Sequence, residues 1–147
     1  MTVVDEKIAA LDRGFDALEH RDLEAFSREL EPHCHPRCEF YSAIGSEMDG
    51  RVFRGWEEMR GWFADYLDTM QYPKWTDRHY EPIGDSGFMM LARFEMSGAA
   101  SGVTLETELG QVYELEDGLV TRGESYTSHA RARAAAERLK AGAKSDA

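Results

Sequence analysis

The chain has 147 residues, 42% hydrophobic and 11% aromatic, which suits one globular domain with a sizeable core and excludes disorder for all but the ends. Its 28 acids against 17 Lys and Arg give a formal charge of −11, so phosphate backbones and anionic bilayer surfaces repel it and no nucleic acid is expected as a partner. No apolar run approaches the roughly 18 residues that span a bilayer, and Asp5, Glu6 and Lys7 stand where a signal-peptide core would lie, so the expected protein is cytoplasmic with no membrane partner.

From Asp5 to His20 the apolar residues Ile8, Leu11, Phe15 and Leu18 recur at spacings of three and four, which predicts a helix. Asp22 is a suitable N-cap for a second, short helix whose apolar side is Leu23, Phe26 and Leu30, ended by Pro32. Cys38 to Ile44 has strand composition and leads into a polar, glycine-containing loop from Gly45 to Gly50. Gly55 opens a third helix, with Trp56, Met59, Trp62, Phe63, Tyr66, Leu67 and Met70 at helical spacing. Lys74 to His129 reads as an antiparallel meander, divided by turn signals at Gly84 to Gly87, Ser97 to Gly102 and Glu116 to Gly118. Ala130 to Ala141 has strong helix propensity. Residues 1–141 are therefore expected to form a single domain, with a frayed tail over 142–147.

Two cysteines, Cys34 and Cys38, are too few for a disulfide framework. They belong to His33-Cys34-His35-Pro36-Arg37-Cys38-Glu39, whose thiols and imidazoles are metal-ligating types. The spacing matches no standard finger or ribbon and Pro36 restricts the turn, so the segment reads as a helix-to-strand connection with Cys38 buried. No metal and no cofactor is expected.

Three stretches carry a family resemblance: Phe15 to Phe26 (FDALEHRDLEAF), Gly50 to Phe63 (GRVFRGWEEMRGWF) and Val112 to Val120 (VYELEDGLV). Together with the order of elements they make the chain similar to the SnoaL-like branch of the nuclear transport factor two superfamily, over roughly Ala10 to Ala130. The resemblance implies an α+β fold in which N-terminal helices pack on a strongly curved antiparallel sheet to form a conical pocket. It also implies a homodimer, paired through an outer sheet face bearing Arg93, Glu95, Val112, Arg122 and Tyr126. The superfamily includes isomerases, cyclases, dehydratases, hydrolases and non-enzymes, so the fold does not give the reaction. The isomerase positions for an oxyanion-holding Tyr, a proton-moving carboxylate and a protonated acid match Gly14, Ser42 and Gln111, none of which does that chemistry alone. The Asp, Arg, Asp set of the epoxide hydrolases is absent too, with Ala92, Phe94 and Ser125 at the pocket-facing positions.

Alternation supplies the remaining candidates. Odd positions from Val103 to Leu115 are apolar save for Thr107 and Gln111, whereas the even positions are largely acidic. Gln111 on an apolar face either satisfies its amide on neighbouring strands or offers it to a ligand. Phe88, Met90, Ala92, Phe94 and Met96 form a wholly apolar face suited to a core or a cavity. The expected ligand-binding set is Gly14, Ser42, Met59, Trp62, Phe63, Met90, Phe94, Gln111, Tyr113, Ser125 and Thr127. Gly14 leaves space on the first helix, Met59, Trp62 and Phe63 roof the pocket, and Ser125 and Thr127 present hydroxyls. His79, the histidine well inside the meander, is the candidate general base and Gln111 the candidate oxyanion contact. The expected function is binding of a small hydrophobic molecule, with conversion of isomerase, cyclase, dehydratase or hydrolase type in view; the alternative is a non-catalytic binding or dimerisation module.

Overall fold

Helix α1 (Val3–Glu19) begins in a reciprocal cap: Thr2 Oγ1 accepts the Asp5 N–H at 3.0 Å and Asp5 Oδ2 accepts the Thr2 N–H at 3.1 Å. The computed structural model describes residues 1–42, 52–98 and 104–145. Asp22 caps α2 (Leu23–Leu30) by accepting the Ala25 N–H at 3.0 Å, and a 3-10 turn over Glu31–His33 carries Pro32 into β1 (Cys34–Tyr41). Then follow β2 (Val52–Arg54), α3 (Gly55–Thr69), β3 (Met70–Ile83), β4 (Gly87–Gly98), β5 (Thr104–Glu116), β6 (Leu119–Tyr126) and α4 (His129–Ser145).

The strands form one open sheet in the order β2-β1-β6-β5-β4-β3. It is mixed: β1 runs parallel to β6, whereas the other neighbours are antiparallel. Helices α1, α2 and α3 cover its inner face, where Phe15, Leu18, Phe26, Trp75, Phe88, Met90 and Phe94 belong to the main core. Among the described residues, four helices on a six-stranded sheet make the α+β cone that the sequence predicts.

Several local expectations need correction. β1 begins at Cys34, so His35 to Arg37 belong to a strand and not to a connection. β3 begins at Met70, ahead of Lys74. α4 continues to Ser145, so residues 142–145 are helical where fraying is expected. The loop from Gly45 to Gly50 lies outside the described residues, as do Ile44, Val103 and most of the turn from Ser97 to Gly102.

The outer face of the sheet is partly covered, where the sequence reading leaves it open. α4 lies across its centre, and Ala132, Ala135 and Ala136 pack with Met89, Leu91 and Val112 in a second apolar cluster that Tyr126 flanks. Val112 is therefore buried within the chain. Arg93 is paired with Glu106 on β5, and Arg122 lies 2.7 Å from Glu124 and 3.6 Å from Glu114. The N-terminus of α4 is fastened twice: Glu108 Oε1 accepts the His129 N–H at 2.8 Å, and His129 Nε2 donates to the Ala92 carbonyl at 2.8 Å. Ala92 is available because the register of β3 against β4 shifts between Thr76 and His79, leaving it opposite a bulge. No helix among the described residues is long and apolar enough to cross a membrane.

Candidate functional site

Between the inner sheet face and the three N-terminal helices lies a cavity of about 90 Å³. Its roof is an aromatic cluster on α3: Trp62 stacks on Tyr66 with centroids 5.3 Å apart and meets Phe63 edge-on at 4.8 Å, while Phe53 of β2 reaches Trp62 at 5.5 Å. These contacts follow from the helical repeat, which brings residues 59, 62, 63 and 66 to one face. The floor is built by strand alternation: Trp75 lies 5.0 Å from Phe94, and Phe88 stacks on Tyr113 at 5.0 Å. All three tryptophans, Trp56, Trp62 and Trp75, line the cavity.

Polar groups enter this apolar wall both on the sheet and on the helical side. On the sheet, Gln111 Nε2 donates to Ser125 Oγ on β6 at 3.2 Å, and the Tyr113 hydroxyl donates to Gln111 Oε1. Burial pushes the Tyr113 phenol well above its ordinary range, so it stays a neutral donor. On the helical side, Lys7 Nζ is 2.8 Å from His33 Nδ1, and both residues line the cavity. Burial first, then the Lys7 charge, pushes the His33 imidazole down, which favours its neutral form. Cys34 lies next to His33 in the wall; the neighbouring Cys38 sulfur, then burial, pushes the Cys34 thiol up, so Cys34 keeps its proton. No Asp or Glu lines the cavity among the described residues.

Of the residues expected to bind ligand, Ser42, Met59, Trp62, Phe63, Phe94, Gln111, Tyr113 and Ser125 line the cavity. Gly14, Met90, Thr127 and His79 do not. Gly14 admits α2, since a Cβ there would stand 3.2 Å from Phe26 and 3.3 Å from Leu30, so the space expected at Gly14 is already filled. Met90 is fully buried in the core, and Thr127 lies just beyond the end of β6. His79 faces the other way: it pairs with Leu91, whose side chain packs under α4, and its own side chain is 57% exposed beside Glu81 at 3.5 Å. The bulge is the cause, because one extra residue between Thr76 and His79 brings Tyr80 to the inner face in place of His79.

Sequence reasoning passed over Lys7 and His33. The signal was present for Lys7, which stands three residues after Val4 and four before Leu11, both buried on the apolar seam of α1. His33 was absorbed into a candidate metal motif. Among the described residues no three His, Cys, Asp or Glu side chains converge as a ligand set, and Cys34 and Cys38 are free thiols.

The same architecture recurs widely among solved structures. A Xanthomonas campestris pv. campestris protein provisionally named a polyketide cyclase superimposes with a TM-score of 0.69 at 12% identity, over 92% of this chain and 99% of that one. A Bacillus subtilis protein provisionally named an isomerase gives 0.71 at 14% identity, over 86% and 88%. TerC, co-crystallised with polyporic acid, gives 0.66 at 18% identity, over 90% and 98%. Identities this low establish the fold alone. No curated protein sequence matches the chain. The family model for the SnoaL-like domain matches residues 11–123, and on that match, with the open sheet and its helical cover in place, the chain belongs to the SnoaL-like family.

Proposed function

We propose that the protein binds a small, largely apolar molecule of polyketide, terpenoid or steroid-like character in its inner cavity. The observation that carries this reading is the wall itself, a nearly continuous aromatic surface interrupted by a few polar side chains, as small-molecule sites are built. A neighbour of the same fold, TerC, was co-crystallised with polyporic acid, which supports the same reading. The cavity of about 90 Å³ is smaller than the roughly 300–1,000 Å³ of a typical ligand site, so anything beyond a single ring enters by displacing side chains of α3.

Conversion of the ligand is the second reading, favoured by the neighbours provisionally named cyclase and isomerase and by a neutral imidazole, His33, in the wall. With no carboxylate among the described lining residues, a proton-moving step falls to that imidazole once Lys7 releases its Nδ1. In this reading the protein works in the cytoplasm as a homodimer, paired through the sheet margins that α4 leaves open.

Tryptophan emission, titrated with single-ring and fused-ring compounds, tests the binding reading. A saturable change that Met59→Trp weakens by filling the cavity is the expected result. No saturable change with any compound would overturn it. Proton NMR of each bound compound over hours distinguishes turnover from simple retention.

A further inference from the structure

Lys7 is an unusual wall residue. Its side chain belongs to a residue only 8% exposed, and its one hydrogen bond among the described residues goes to a ring nitrogen, His33 Nδ1 at 2.8 Å. No described carboxylate forms an ion pair with it. An ammonium has three N–H donors and no acceptor, so Nδ1 must be the accepting atom and the neutral imidazole carries its proton on Nε2. The pair therefore presents only donors and a net positive charge.

Taking an ammonium out of water costs several kcal/mol unless an opposite charge or a full set of acceptors replaces the lost hydration. A single neutral imidazole does so only in part. The other charges acting on His33 are Arg13, Glu6 and Glu29; Glu29 is tied to Arg13 at 2.7 Å, and Glu6 is exposed. A second, independent donor is in the same wall. Trp56 lines the cavity, and its buried indole N–H has no acceptor among the described residues.

We infer that the molecule taken by this cavity is an amphiphilic organic anion, an apolar ring-bearing body whose carboxylate, or equally acidic enol oxygen, is received by Lys7 Nζ. His33 acts as the positioning residue that holds the ammonium at the wall. The inference deepens the proposed binding function and rests on it. The chain's formal charge of −11 repels anions at long range, so recognition falls to this local cation and not to the field of the whole molecule.

The probes are 3-phenylpropanoate and its methyl ester, which share one ring and differ in charge, titrated against the full chain by calorimetry and tryptophan emission. Wild type should bind the carboxylate at least tenfold more tightly than the ester. Lys7→Met should remove that preference while leaving ester affinity within about twofold, and Lys7→Arg should retain most of it. Lys7→Gln, polar but uncharged and shorter, serves if the Met variant fails to fold. Equal affinity for acid and ester in wild type, or equal loss of both in Lys7→Met, overturns the anion inference and leaves the apolar cavity standing. Binding of neither probe overturns both readings.

Discussion

Gly110 of β5 sits so close beneath Ala132 of α4 that a Cβ added to the glycine would stand 2.4 Å from the alanine's Cβ. The two small residues let helix and sheet meet at their backbones, and they explain why the terminal helix is rich in alanine. Gly110→Ala should force α4 outward and destabilise the protein by about 1–3 kcal/mol. Chemical denaturation checks this, and ligand affinity should be unchanged because the displaced helix lies on the opposite face from the cavity. An unaltered midpoint would mean that α4 slides at no cost.

Gln111 supports a second prediction. Its amide joins β5 to β6 through Ser125 and accepts from Tyr113, so it is already satisfied without a ligand. Gln111→Leu leaves the Tyr113 hydroxyl without that acceptor and should cost about 1–3 kcal/mol. Adding Tyr113→Phe should recover part of the loss, a coupling that a double-mutant cycle measures. Weaker ligand binding with unchanged stability would instead make the amide a ligand contact.

Arg78 fastens α1 to β3. Its guanidinium donates to the Asp12 carbonyl and to Asp12 Oδ1, at 2.9 and 2.8 Å, and to Asp16 Oδ1 at 2.7 Å, while the Tyr80 hydroxyl donates to the same Asp12 oxygen at 2.8 Å. The Arg78 side chain is 15% exposed, whereas those of Asp12 and Asp16 are 48% and 59% exposed, so solvent screens the carboxylate ends of these pairs. Arg78→Met should destabilise by about 1–3 kcal/mol, with thermal melting as the measurement. His79→Ala, one residue on, should shift stability by less than about 0.5 kcal/mol and leave ligand binding intact.

The pH dependence follows from His33. Its folded-state pKa lies below the ordinary 6.5, because burial and the Lys7 charge disfavour the imidazolium. The unfolded chain therefore binds more protons than the folded one between the depressed value and 6.5. Stability from this group is complete above 6.5, falls as pH drops through that window, and levels off below the folded pKa. His33→Gln should remove this step from a stability–pH profile, leaving only the acid unfolding of the carboxylates. An unchanged profile would place His33 in solvent.

Much of the architecture was legible in the sequence because it rests on repeats that local patterns carry. Trp56 to Tyr66 shows the helical period that builds the roof, and Phe88 to Phe94 the strand period that builds the floor. Asp22 marked its helix start, and the cap is formed. What remained hidden depends on contacts between distant segments. Nothing within ten residues of Gly110 tells that Ala132 will lie on it. Lys7 stands on the apolar seam of α1, but its partner is not legible until the chain brings the end of the 3-10 turn, and His33 with it, to the first turns of α1. Val112 looked like an exposed apolar residue on an outer face because α4 had no assigned place to dock.

The bulge in β3 has a bearing on how this chain is compared with its relatives. Ahead of it Trp75 takes the inner face and lines the cavity, and beyond it Tyr80 takes the inner face and packs on the main core, an odd position followed by an even one. A relative without the inserted residue has the opposite phase downstream, so equivalent positions in an alignment there face opposite sides of the sheet. Loss or gain of a single residue thus exchanges the chemical groups turned to the core with those turned to solvent, with no change in any side chain, so the two surfaces of such a strand can diverge by counting alone.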